Sequence, residues 1–129
     1  FRDAREALVT VVSLQRVAAD ACATGDSATA MAQLAGVVET WKAVRDAVEK
    51  SGDLLGFDLA SVKFSFEGRE VVATGLVAEL ARSLDGLLSG VKGRDWSAVG
   101  DVLSYDLGPR AGSWGGMFVE LERRLGRRG

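Results

Sequence analysis

Histidine is missing from all 129 residues, cysteine and tyrosine occur once each, and there is a single proline. Without histidine there is no phosphorelay, no Ser-His or Cys-His nucleophile pair, and no Glu-x-x-His ligand set of the di-iron helical bundles. The one cysteine, Cys22, cannot close an internal disulfide, so the fold does not depend on oxidation. Set among Val17, Ala18 and Ala21, it reads as a small buried hydrophobe rather than a reactive thiol. No apolar run reaches the roughly 18 residues of a membrane span, and no signal peptide is visible, which makes the cytoplasm the default location. The chain opens on Phe1 rather than methionine, so a trimmed leader is compatible with it. Glycine is plentiful, with 16 residues. Neither Gly-x-x-x-x-Gly-Lys-Ser/Thr nor Gly-x-Gly-x-x-Gly occurs, so there is no phosphate cradle and no cofactor is expected.

What is present suits a packed globular chain: 47% hydrophobic and 26% charged residues. A chain of this length is one ordinary domain, able to bury roughly two-thirds of its unfolded surface. A net charge of −2 supplies no field to hold a polyanion, so nucleic acid is not an expected partner. The one basic cluster, Arg123, Arg124, Arg127 and Arg128, falls at the end of the last predicted helix, where cations complement the negative end of the macrodipole.

Hydrophobic spacing predicts helices along most of the chain. Ala4, Leu8, Val11, Val12, Ala18 and Ala21 recur at three- and four-residue steps over Arg2 to Ala23. Gly25-Asp26-Ser27 supplies a terminating glycine and two candidate N-caps. Leu34, Val37, Trp41, Val44 and Val48 mark a second helix from Ser27 to Lys50, closed by Ser51-Gly52, and the short connection makes the two antiparallel neighbours. Residues 53 to 67 break the pattern. Val62 to Glu67 alternates like a strand, but one strand has nothing to pair with, so the segment reads as a connection whose Phe64 and Phe66 pack over the bundle. A short helix near Asp58 to Val62 and a pairing partner in another subunit are the alternatives within it.

A third helix, Gly68 to Val91, carries Val72, Leu76, Leu80, Leu84, Leu87 and Val91 along one side. Gly75 and Gly86 each weaken it by about 1 kcal/mol relative to alanine. Asp95 is an N-cap for a fourth helix, Trp96 to Leu107, and Arg110 to Leu125 continues it with Trp114, Met117, Phe118 and Leu121 on one face. Between them Pro109 has no N–H for the carbonyl of Tyr105, which predicts a kink or a break at Gly108-Pro109. The fold class expected is all-α: an antiparallel four- to five-helix bundle of two αα-hairpins in one domain, 1–129. The first hairpin spans 2–51, the connection 52–67 and the second hairpin 68–126. Similar spacing around Gly25 to Ala30 and Gly93 to Ala98, with a 68-residue offset that also matches Leu8 to Leu76, admits a duplicated hairpin.

Carboxylates are the acid-base groups left. Asp106 extends the stripe of Trp96, Val99 and Leu103, and a charge on that face needs a partner such as Arg110 or a free N–H beside Pro109. Asp101 and Tyr105, at i and i+4, can share a hydrogen bond, with Tyr105 read as a packed ring whose hydroxyl is tied. Trp41, Trp96 and Trp114 read as core rings or as a partner-binding surface.

Asp95-Trp96, Asp101, Leu103, Tyr105-Asp106-Leu107, Pro109 and Trp114 resemble a signature of small helical bacterial proteins that have no assigned activity. Here glycines stand at 108, 115 and 116 where that pattern has bulkier residues. The resemblance covers about a third of the chain and implies a helical fold. Ser83-Leu84-Asp85 and Leu103-Ser104-Tyr105 are similar to fragments of flagellar export chaperones, which implies a bundle that wraps a client's helices. The reading that follows is a non-enzymatic interaction or adaptor module that binds another protein or itself as a homo-oligomer, with Asp101, Tyr105, Asp106, Pro109 and Trp114 as candidate functional residues. The alternative is a small-molecule binder or enzyme with a polar pocket at Pro109.

Overall fold

The structure is a computed structural model that describes residues 2–128, with side chains described through Gly126. Helix dominates, interrupted by one two-stranded sheet. Helices α1 (Arg2–Thr24) and α2 (Ser27–Leu55) are joined by Gly25-Asp26. Gly25 takes φ 77°, the Asp26 N–H returns to Ala21 O at 2.9 Å, and the Gly25 N–H reaches Cys22 O at 3.4 Å, which together make a Schellman motif. Asp26 then caps α2 by accepting from Thr29 Oγ1 (2.7 Å) and Thr29 N (3.1 Å). Both bonds favour the ionised carboxyl and hold it below the usual aspartate range.

The same motif closes α3 (Ala73–Lys92), with Arg94 at φ 54°, the Asp95 N–H on Gly90 O at 2.9 Å, and Asp95 capping Ala98 N at 3.1 Å. Arg94 thus stands where Gly25 does, and the two turns align one residue beyond the offset that the sequence suggested.

Helix α2 runs past Ser51-Gly52. The Ser51 hydroxyl turns back on Ala47 O (2.7 Å), so it caps nothing new, and the helix ends instead at Gly56, φ 71°, whose N–H meets Gly52 O. The larger correction lies between 63 and 72. Strands β1 (Lys63–Phe66) and β2 (Arg69–Val72) pair antiparallel across Glu67-Gly68, whose φ values of 52° and 78° are those of a type I′ turn. The partner missing for 63–66 is the next four residues, and α3 therefore starts at Ala73 rather than Gly68. Between α2 and β1 the short helix is a 3₁₀ turn, Leu59–Ser61, capped by Asp58 on Ala60 N at 3.0 Å.

From Trp96 to Arg128 the backbone stays helical: α4 (Trp96–Asp101), a π turn (Val102–Leu107) and α5 (Gly108–Arg128) follow without a gap. The helix neither stops nor restarts at Gly108-Pro109. It accommodates the proline by widening the preceding turn to i→i+5 bonding.

Buried apolar residues form one cluster from Ala4 to Leu121, in which Trp41, Trp114 and Phe118 are the largest fully buried side chains. Trp41 and Trp114 meet edge to face at 5.6 Å, and Trp41 Nε1 donates to the buried Gln15 Oε1 at 2.6 Å. Trp96 is half-buried. By length and composition α1 is apolar enough to cross a membrane, and in this structure its Ala4, Leu8, Val11, Ala18 and Ala21 turn into the core. Near the C-terminus Arg123 and Arg124 pair with the buried carboxylate of Glu120, while the side chains of Arg127 and Arg128 lie outside the described residues.

Two glycines of α3 separate propensity from packing. A Cβ at Gly86 would lie 3.9 Å from Val102 Cγ2, an ordinary contact, whereas one at Gly90 would lie 2.8 Å from the Cγ2 of fully buried Val99. Urea unfolding should show Gly86→Ala stabilising by about 0.5–1 kcal/mol and Gly90→Ala destabilising by about 1–3 kcal/mol. The Asp26 cap gives a pH test. Its folded pKa lies below the unfolded value of about 3.9, so its contribution is whole above that value and disappears as the pH falls through the folded one. Between about pH 5 and pH 2 the parent chain should lose more stability to urea than Asp26→Asn does.

Candidate functional site

Pro109 stands on the wall of an open cleft of about 840 Å³ between β2, the first turn of α3 and the start of α5. Its origin is in the glycines. A Cβ at Gly116 would sit 3.1 Å from the rings of both Phe64 and Phe66, and one at Gly112 would sit 3.3 Å from Phe66, so bare backbone is what lets the hairpin lie down on α5. Ahead of that contact Gly108 and Gly75 bring no side chain, and the space stays open.

The rim is acidic: Glu67, Glu70 and Glu79 line it against one cation, Arg69. Glu79 is held by Arg110 Nη1 at 2.8 Å, and Arg110 Nε donates to the buried Ser83 Oγ at 2.8 Å, which clamps α5 to α3. Glu70 lies 4.0 Å from Lys63 Nζ with both side chains exposed, a contact of little energetic weight. Glu67 has no ion-pair partner among the described residues.

The edge of β2 borders the same space. In a two-residue hairpin the pair next to the turn, Phe66 and Arg69, exchanges hydrogen bonds, and the next pair, Ser65 and Glu70, does not. The N–H and C=O of Glu70 therefore point away from β1, as a template for one more strand.

Of the five residues that the sequence singled out, one lines this cleft. Pro109 does, while Trp114 is fully buried against Trp41. Asp101, Tyr105 and Asp106 are exposed, Tyr105 by 75%, and no bond joins Asp101 to Tyr105. The π turn is the reason. A turn with an extra residue keeps the four-residue step from Leu103 to Leu107 in line with the core, and Asp106, three residues on, falls outside. Arg110, expected to serve Asp106, faces Glu79 and Ser83 instead. Sequence reasoning missed the hairpin and with it Arg69, Glu70 and Glu79. The readable signal was Glu67-Gly68 between two four-residue segments of strand length.

Among the described residues no group of three His, Cys, Asp or Glu side chains is placed to hold a metal ion. Burial pushes the thiol of half-buried Cys22 up, which disfavours the thiolate. No family model matches the chain, and neither does any curated protein or solved structure.

The clamp separates the two accounts of Arg110. Arg110→Met should lower stability by about 1–3 kcal/mol, because it strands Ser83 and frees Glu79. Tyr105→Ala and Asp106→Ala should stay within about 0.5 kcal/mol. Thermal unfolding of the three variants is the check.

Proposed function

We propose that the chain is a non-catalytic protein-binding module, an antiparallel bundle of two helix pairs whose cleft seats an extended basic segment of another protein against the outer edge of β2. The observation that carries this reading is the strand edge at Glu70, exposed beside a cleft large enough for a peptide. Strand addition draws affinity from main-chain hydrogen bonds and specificity from alternate side chains. Here the exposed Glu67 and Glu70, rather than Glu79, which Arg110 holds, select lysine and arginine on the incoming strand. Pairing of two copies about Glu70 would set two carboxylates opposite each other, which favours another chain over a homodimer. The reading agrees with the resemblance to export chaperones in kind, a protein client, and differs in its form, a strand rather than a helix. A polar small-molecule pocket at Pro109 retains the cleft but loses Asp101, Tyr105 and Asp106 as its polar groups.

Fluorescence anisotropy with labelled alternating peptides tests it. A Lys-Val peptide should bind and a Glu-Val peptide should not. Glu70→Pro removes an N–H that points away from β1 and leaves the hairpin's own bonds in place, so it should weaken binding at least about tenfold with an unchanged helical circular dichroism spectrum. Equal binding of both peptides, or undiminished binding by Glu70→Pro, would contradict the proposal.

A further inference from the structure

A second groove, of about 310 Å³, runs between α1 and the π turn and is lined by Val12, Gln15, Arg16, Asp20, Leu103 and Ser104 among others. Gln15 is 4% exposed, and its Oε1 is committed to Trp41 Nε1. The indole N–H must meet an oxygen, which fixes the amide and leaves Nε2 with two donor hydrogens. Nε2 has no protein acceptor among the described residues, yet it is not among the polar atoms sealed from solvent without a partner. A buried amide with free donors on a residue that lines a groove asks for an acceptor from outside the protein.

The charges beside it are also uncommitted. Arg16 and Asp20 stand one helical turn apart on α1 in the less favourable order for pairing, cation before anion, and neither makes an ion pair among the described residues. Across the groove the Ser104 hydroxyl and the helix backbone supply acceptors. The N–H that an i→i+5 turn would offer Ser104 O, or an α turn Tyr105 O, belongs to Pro109 and does not exist. Val12 and Leu103 give the groove an apolar lining.

We infer that this groove binds a small zwitterion of the α-amino-acid type. Its carboxylate accepts from Gln15 Nε2 and Arg16, its ammonium donates to Asp20 and Ser104, and an aliphatic side chain lies on Val12 and Leu103. A simple carboxylate would meet the unbalanced charge of Asp20, and a simple amine that of Arg16, so both charges together are the selective feature. The site is separate from the cleft of the proposed function and does not depend on it.

Gln15 carries the reporter for the test. In the ¹⁵N-labelled full chain, titration with L-valine or L-leucine to about 10 mM should move the indole resonance of Trp41, which senses polarisation of Gln15, along a saturable curve. Arg16→Ala and Asp20→Ala, both changes at exposed positions, should each weaken the response about tenfold. Isobutyrate and isobutylamine should leave the resonance in place. A resonance unmoved by either amino acid, an equal response to isobutyrate, or variants that respond like the parent chain would each overturn the inference.

Discussion

Trp114, set edge-on against Trp41, decides where the C-terminal helix lies and in which phase it faces the rest of the chain. Trp41 is in turn tied to Gln15, so the two contacts together lock residues of α1, α2 and α5 into a common centre. The N–H of Trp114 has no hydrogen-bond partner there among the described residues, a cost of about 1–3 kcal/mol that ring packing must outweigh. Upstream of Trp114 the same helical run has to keep Val99, Leu103 and Leu107 in the core and pass a proline without an N–H. The π turn accommodates both, because it takes up one extra residue ahead of the proline while Leu103 and Leu107 stay buried, and the carbonyl that Pro109 would have served still lacks that N–H. Everything that sets this chain apart borders that adjustment: the hairpin cleft on one side, the groove of α1 on the other, with Gly108 lining both.

Much of the architecture was legible in the spacing of apolar residues. The faces of α1, α2, α3 and α5 follow the three- and four-residue steps because burial is what orders those helices, and Asp26 and Asp95 act as the caps that their positions after a turn suggested. The hairpin was not legible, since four-residue strands carry too short an alternation to outweigh a helix-like run of Val72, Leu76 and Leu80 that continues from them. Nor was the outward turn of Asp106. A 3.6-residue period holds only while the hydrogen bonding stays α, and Pro109 marked the place of the irregularity but not its form, a widened turn ahead of the proline. Of the candidate residues in the C-terminal segment, Pro109 lines the cleft and Trp114 is buried against Trp41, whereas Asp101, Tyr105 and Asp106 are exposed.

The cleft and the strand edge follow from glycine as much as from the hydrophobic core. Gly112 and Gly116 bring Phe64 and Phe66 down onto α5, which fixes the hairpin by its aromatic face and leaves the far edge of β2 free. Natural edges of this kind are blunted by charge, and Glu70 does so here against another copy of the same strand. Against a basic strand the same carboxylate attracts. In the proposed reading, one residue both opposes self-pairing and favours a partner of opposite charge.

Amide hydrogen exchange at Glu70 tests that central claim most directly. The account predicts that this N–H exchanges freely in the isolated chain and becomes protected when a saturating alternating Lys-Val peptide is added. Protection that appears elsewhere while Glu70 continues to exchange at its free rate would contradict it.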